Sequence, residues 1–219
     1  MNIRFGISIS VTGVTPLKKT NKERLQDLMA YVDRLTHIEP GAIPDIRLYM
    51  DQVTTFMNER LAGTRHNTDE VVVTKTMINN YAKNRLLPAP VKKKYSRNHI
   101  LMLILIYYFK NVVSFSEIET LFSPLSEKHF AEGSVPELSE LYREIFALEE
   151  DQRESLKKDV MEKFAIAEKT FPDAPEEDRE FLRLYAFVCE LAFDVYIKKE
   201  MIELIADELR AEQSNPRKR

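Results

Sequence analysis

Apolar residues return every three or four positions over most of the chain, and that spacing predicts helices. Residues 21–35 set Leu25, Leu28, Met29, Val32 and Leu35 on one face, with Thr20 as N-cap and Glu23 completing a capping box. Glu39-Pro-Gly breaks this helix. Pro44 suits the first turn of a second helix reaching Leu61. Its buried face is expected to be Ile46, Tyr49, Met50, Val53, Phe56, Met57 and Leu61. A polar loop follows from Gly63 to Thr68, and Thr74 then caps a short helix ending at Asn84. In that helix Met77, Ile78, Tyr81 and Ala82 share the apolar side, while Thr76, Asn79, Asn80 and Lys83 lie opposite. Leu86-Leu-Pro-Ala-Pro cannot be helical, because each proline pushes the residue before it toward extended geometry. Residues 86–95 are therefore an extended loop or a tight hairpin. Ser96 caps a helix over residues 97–111, and Ser114-Phe-Ser-Glu117 opens a short helix that ends before Pro124.

The rest of the chain is also helical in pattern. Leu138, Leu141, Tyr142, Ile145 and Phe146 form one stripe, and Leu156, Val160, Phe164 and Ala167 another. Asp173-Ala-Pro-Glu176 opens a final helix reaching Glu212. Along it Phe181, Leu184, Val188, Leu191, Val195, Lys198, Ile202, Ile205 and Leu209 alternate by three and four, a heptad seam broken at Lys198. Such a seam serves either dimerisation or an internal bundle core, and Phe187, Phe193 and Tyr196 widen it. The residues expected at a dimer contact are Leu184, Val188, Leu191, Val195, Ile202, Ile205 and Leu209. At the other end, the alternation of Phe5, Ile7, Ile9 and Val11 fits a short strand or a loosely ordered tail. Ser and Gly interrupt that run, so no signal peptide is read and a cytoplasmic protein is expected. The apolar run from Ile100 to Phe109 is about half of a bilayer crossing and reads as a buried helix, so no membrane partner is expected.

Composition agrees with a mainly α fold, since five glycines in 219 residues leave little material for tight turns. A single cysteine excludes a disulfide framework and a cysteine-based zinc site. His37, His66, His99 and His129 lie too far apart for metal-ligand spacing, and Cys189 sits mid-helix as a buried thiol would. No glycine-rich phosphate loop or nucleophile elbow occurs. Glu149-Glu-Asp151 and Glu176-Glu-Asp178 fit the dipoles of helix starts. No enzyme, cofactor or metal is expected.

Charge changes the picture. The net charge of −3 conceals a segregation: residues 71–116 hold eight Lys/Arg and no Asp or Glu, whereas residues 117–219 hold fifteen basic and twenty-six acidic groups. A basic segment free of carboxylates suits a surface that meets phosphates. Within it, Asn79 and Asn80 are candidate base readers, because an asparagine amide pairs bidentately with adenine in the major groove. Lys75, Thr76, Lys83 and Arg85 flank them, and Lys92, Lys93, Lys94 and Arg97 form a compact basic cluster suited to neighbouring phosphates. Tyr81 and Tyr95 read as core residues.

The segments Ile78-Asn-Asn-Tyr81, Leu86-Leu-Pro88, Lys92-Lys-Lys-Tyr-Ser96 and Val113-Ser-Phe-Ser-Glu-Ile118 resemble the DNA-binding region of MerR-type winged helix-turn-helix regulators. With Tyr49-Met-Asp-Gln-Val-Thr-Thr-Phe56 upstream, the whole chain is similar to a bacterial family of undefined function carrying such a region. The resemblance implies a MerR-like winged helix-turn-helix followed by an α-helical bundle region, double-stranded DNA as partner, and transcription regulation by a dimer. Asn79 and Asn80 stand where Arg and Tyr are usual, and Arg85 replaces a glycine, with Asn84 beside it as the residue that tolerates a left-handed backbone. The stretch from Leu61 to Thr74 exceeds the three or four residues of an ordinary helix-turn-helix turn. The expected division is an N-terminal segment 1–19, a DNA-binding domain 20–123 and a dimerisation or sensing region 124–219. The alternative is a helical protein-interaction or small-ligand-sensing module without DNA binding, its effector unspecified.

Overall fold

A computed structural model describes residues 19–35, 37–64 and 71–214. The expected N-terminal strand, His66 and most of the polar loop lie outside the described residues. Seven α-helices and one two-stranded sheet make up the described part: α1 (Asn21–Arg34), β1 (Leu48–Tyr49), α2 (Met50–Arg60), α3 (Lys75–Lys83), β2 (Lys94–Tyr95), α4 (Arg97–Phe109), α5 (Phe115–Lys128), α6 (Leu138–Ala167) and α7 (Glu176–Ser214). The fold is thus mainly α, and no described helix is long and apolar enough to cross a membrane.

Local capping explains where most helices start. Thr20 and Glu23 form the expected capping box of α1, and Ser114 and Glu117 that of α5. Thr74 Oγ1 accepts from the Met77 amide, 3.2 Å away, at the start of α3. The start of α2 differs from expectation. No helix follows Pro44: the chain bends at Asp45 and Ile46, and Leu48 and Tyr49 then pair antiparallel with Tyr95 and Lys94. The helix begins only at Met50, where the Tyr49 amide donates to Gln52 Oε1 at 2.8 Å. Ile46 and Tyr49 are therefore exposed, not buried, while Val53, Met57 and Leu61 fill the core as expected. The end of α5 also differs: the helix continues through Pro124 to Lys128. A proline within a helix frees the carbonyl four residues back, here Thr120. Gln213 Nε2 of α7 donates to that oxygen at 3.2 Å and Ser123 Oγ at 3.4 Å, so the tertiary fold supplies part of what the helix lost.

Two apolar clusters form. The larger is centred on α4, whose residues from Ile100 to Ile106 are all buried, and takes in Val53, Met57, Ile78, Tyr81, Leu86, Leu87, Ile118 and Phe122. It extends past residue 123 to Leu138, Tyr142 and Phe146 of α6. Tyr142 fixes this end by donating its hydroxyl to the Ile38 carbonyl at 2.8 Å. The smaller cluster packs Val160, Phe164, Ala167 and Phe187 with Leu25 and Met29 of α1. The two stripes read in residues 138–167 thus belong to one long helix serving both clusters, with Ile145 and Leu156 exposed between and beside them. Returning antiparallel, α7 leaves the small cluster and ends against α5, where Arg210 donates to Thr120 Oγ1 (3.3 Å) and Ser116 Oγ (3.2 Å).

Candidate nucleic-acid interface

Helix α3 presents the surface that its spacing predicts. Lys75, Thr76, Asn79, Asn80 and Lys83 lie within one arc of the helix and are all exposed, while Ile78 and Tyr81 opposite are buried. Tyr81 stacks on Phe115 of α5, ring centroids 6.2 Å apart, and burial pushes its phenol pKa upward. The buried side thus fixes how α3 is rotated. The long connection from α2 to α3 is pinned rather than tight. Asn58 accepts from the Val72 amide at 2.8 Å and donates to the Val73 carbonyl at 2.9 Å, and Lys110 Nζ donates to the Val72 carbonyl at 2.8 Å. Val72 and Val73 are themselves buried. Asn58 is a positioning residue that periodicity alone did not single out.

The basic cluster after Pro90 is a hairpin, one of the two conformations expected. Val91 and Lys94 bridge, with the Lys94 amide donating to the Val91 carbonyl at 3.0 Å. Lys92 and Lys93 are the two turn residues, with φ of +51° and +62°. Positive φ at both central positions is the type I′ requirement, normally met by Asn-Gly. Arg85, just after α3, has φ of +59°. It takes the left-handed position itself, correcting the expectation for Asn84, whose φ is −91°. Among the described residues four non-glycine residues have positive φ, and three of them are cations of this surface. For a side chain with a Cβ that conformation costs roughly 1–2 kcal/mol.

The remaining cations are less free. Lys75 forms an ion pair with Asp51 of α2, so a carboxylate from outside the acid-free segment reaches the surface. Lys94 lies over the exposed Tyr49 ring, 5.1 Å from its centroid. Arg97 is half-buried and donates to the Pro40 carbonyl at 2.5 Å, which makes it a brace for the chain before β1. Lys83, Arg85, Lys92 and Lys93 are exposed and carry no ion pair among the described residues. Tyr49 is the aromatic member of this surface that the sequence pattern concealed, since it reads as one more apolar position of a helix.

His99 anchors the hairpin to α4. Its Nδ1 accepts from the Ser96 amide at 2.9 Å, which requires the proton on Nε2; that nitrogen faces the Pro88 carbonyl at 3.1 Å and donates to it. Burial lowers the His99 pKa to about 4, against carbonyl contacts from Pro88 and Ala89 that favour protonation. The ring packs edge-on against Tyr95 and Phe130. Tyr95 is buried, as expected, and its phenol pKa is raised for that reason. Among the described residues no group of His, Cys, Asp and Glu forms a metal-binding set. Cys189 is half-buried, not fully buried as its apolar neighbours suggested.

The expected dimer seam divides in space. Leu191 packs on the small cluster and Ile202 on the large one, and Leu184 and Leu209 are half-buried. Val188, Val195 and Ile205 are exposed. Cover along the seam is uneven because α7 changes partner from α6 to α5 along its length.

Fold and surface together define a mainly helical domain that carries a short helix and a basic hairpin side by side in sequence. Residues 38–145 match a family described as a domain of unknown function (DUF1836), nearly the span of the larger core, Ile38 to Phe146. No curated protein and no solved structure matches the chain.

Proposed function

We propose that the protein binds duplex DNA and serves as a transcriptional regulator. In this reading α2 and α3 act as a helix-turn-helix with an extended turn, and the 91–95 hairpin is its wing, the MerR-like arrangement. Asn79 and Asn80 face base edges in the major groove, Thr76 and Lys83 the adjoining backbone, and Arg85, Lys92 and Lys93 the phosphates beside it. Two copies reading two half-sites about 34 Å apart belong to the same proposal. The observation that carries it is the pairing of cationic side chains with left-handed backbone at Arg85, Lys92 and Lys93. Glycine, or to a lesser degree asparagine, would relieve each position, so charge stands there at the expense of stability, as at functional sites. Fluorescence anisotropy with a random duplex at low salt tests the reading. With Lys83, Arg85, Lys92 and Lys93 as the free cations, log affinity should fall with log salt at a slope of about −3.6 per protomer. Absence of binding at tens of micromolar protein would overturn it.

A further inference from the structure

The outer side of α7 is left open by the fold. Its inner side is spoken for: Ala206 is buried, Ile202 packs on the large core, and Arg210 and Gln213 bind α5. Facing away, Phe193, Ile197, Met201, Leu204 and Ile205 each keep between 53% and 64% of their surface in solvent. At roughly 200 Å² for a large apolar residue, they expose about 600 Å² in one patch. Monomeric proteins seldom leave more than a few hundred Å² of contiguous apolar surface open, and one side of a stable interface buries about 800 Å².

We infer that this patch is the contact between two copies of the chain, packed antiparallel through α7. The assignment deepens the dimeric part of the DNA-binding reading and names a face that shares only Ile205 with the heptad seam. The patch is self-complementary. Phe193, Ile197, Met201 and Ile205 form a ridge with four-residue spacing, symmetric about Lys199. An antiparallel two-fold there sets Phe193 against the partner's Ile205 and Ile197 against the partner's Met201, as an isologous contact requires. Ridges of that spacing pack at a crossing angle of about −50°, not the shallow angle of a coiled coil. The flanking cations are engaged within the helix, Lys198 with Asp194 and Lys199 with Glu203. Glu200 and Glu208 remain at the margin, so two copies meet against some repulsion and added salt strengthens the dimer, the opposite of its effect on DNA binding.

Sedimentation equilibrium of the full chain tests this. The wild type should be a dimer, tighter at 0.5 M than at 0.05 M salt. Ile197→Glu with Met201→Glu should weaken self-association by at least about 100-fold. Circular dichroism should stay unchanged, because both side chains point away from the fold. Ile197→Gln with Met201→Gln, uncharged and helix-compatible, should weaken it in the same direction should the first pair prove poorly folded. Val135→Glu, at an exposed site elsewhere, should leave the mass unchanged. A wild-type monomer at 100 μM, or a dimer that survives both double variants, overturns the assignment. Anisotropy on the same samples separates the two proposals, since a monomer that still binds duplex DNA refutes the interface and leaves the DNA reading standing.

Discussion

Replacing Lys92 by Asn and Lys93 by Gly should make the protein more stable and a weaker DNA binder. Both lysines sit at positive φ in a two-residue turn closed by the 3.0 Å bond from the Lys94 amide to the Val91 carbonyl. Glycine at 93 removes a left-handed side chain worth roughly 1–2 kcal/mol and returns about 1 kcal/mol through the greater freedom of the unfolded chain, while asparagine at 92 keeps its Cβ but tolerates the conformation better than lysine. A net gain of about 1 kcal/mol remains, or roughly 3 °C in Tm for a chain of this size. Two lost phosphate contacts remove about 1.8 from the salt slope, which at 0.1 M salt is about 60-fold in affinity. Differential scanning calorimetry and anisotropy on one preparation measure both. A variant no more stable than the wild type would refute the strain argument. Unchanged DNA affinity and salt slope would remove the hairpin from the interface.

Arg85→Gly follows the same logic at a single position, with a stability gain below about 1 kcal/mol and about an 8-fold loss of affinity at 0.1 M salt. His99 makes stability pH-dependent. Its pKa is about 4 when folded and near 6.5 when unfolded, so the unfolded state binds the extra proton. Its contribution is complete above pH 6.5 and falls by about 3 kcal/mol as pH drops to 4. Urea melts across that range should follow this, and His99→Gln should flatten the His99 part of the profile. Gln213→Ala leaves the carbonyl released by Pro124 without its tertiary donor and should cost about 1 kcal/mol in a thermal melt. The loss should largely vanish in a Pro124→Ala background, where the helix amide returns.

Short-range chemistry was readable directly. A capping box needs residues three apart, so Thr20 with Glu23 and Ser114 with Glu117 set helix starts whatever the rest of the chain does. Helical periodicity likewise indicates which side of α3 is polar, and the unbroken apolar run that α4 is buried. The hairpin was foreseen only as one of two conformations. Everything that depended on a distant partner was out of reach. Tyr49 leaves the helical pattern because a strand 45 residues on pairs with it; Pro124 stays inside a helix whose freed carbonyl finds a donor in the distant Gln213 as well as in Ser123; the α7 seam divides because its partner changes from α6 to α5. Hydrophobicity states that a residue favours cover and is silent about which element provides it. The left-handed cations mark the same limit. The chain spells Arg85, Lys92 and Lys93 as ordinary positive charges, and only closure of the hairpin and the end of α3 against the core force them into a backbone conformation that their side chains resist.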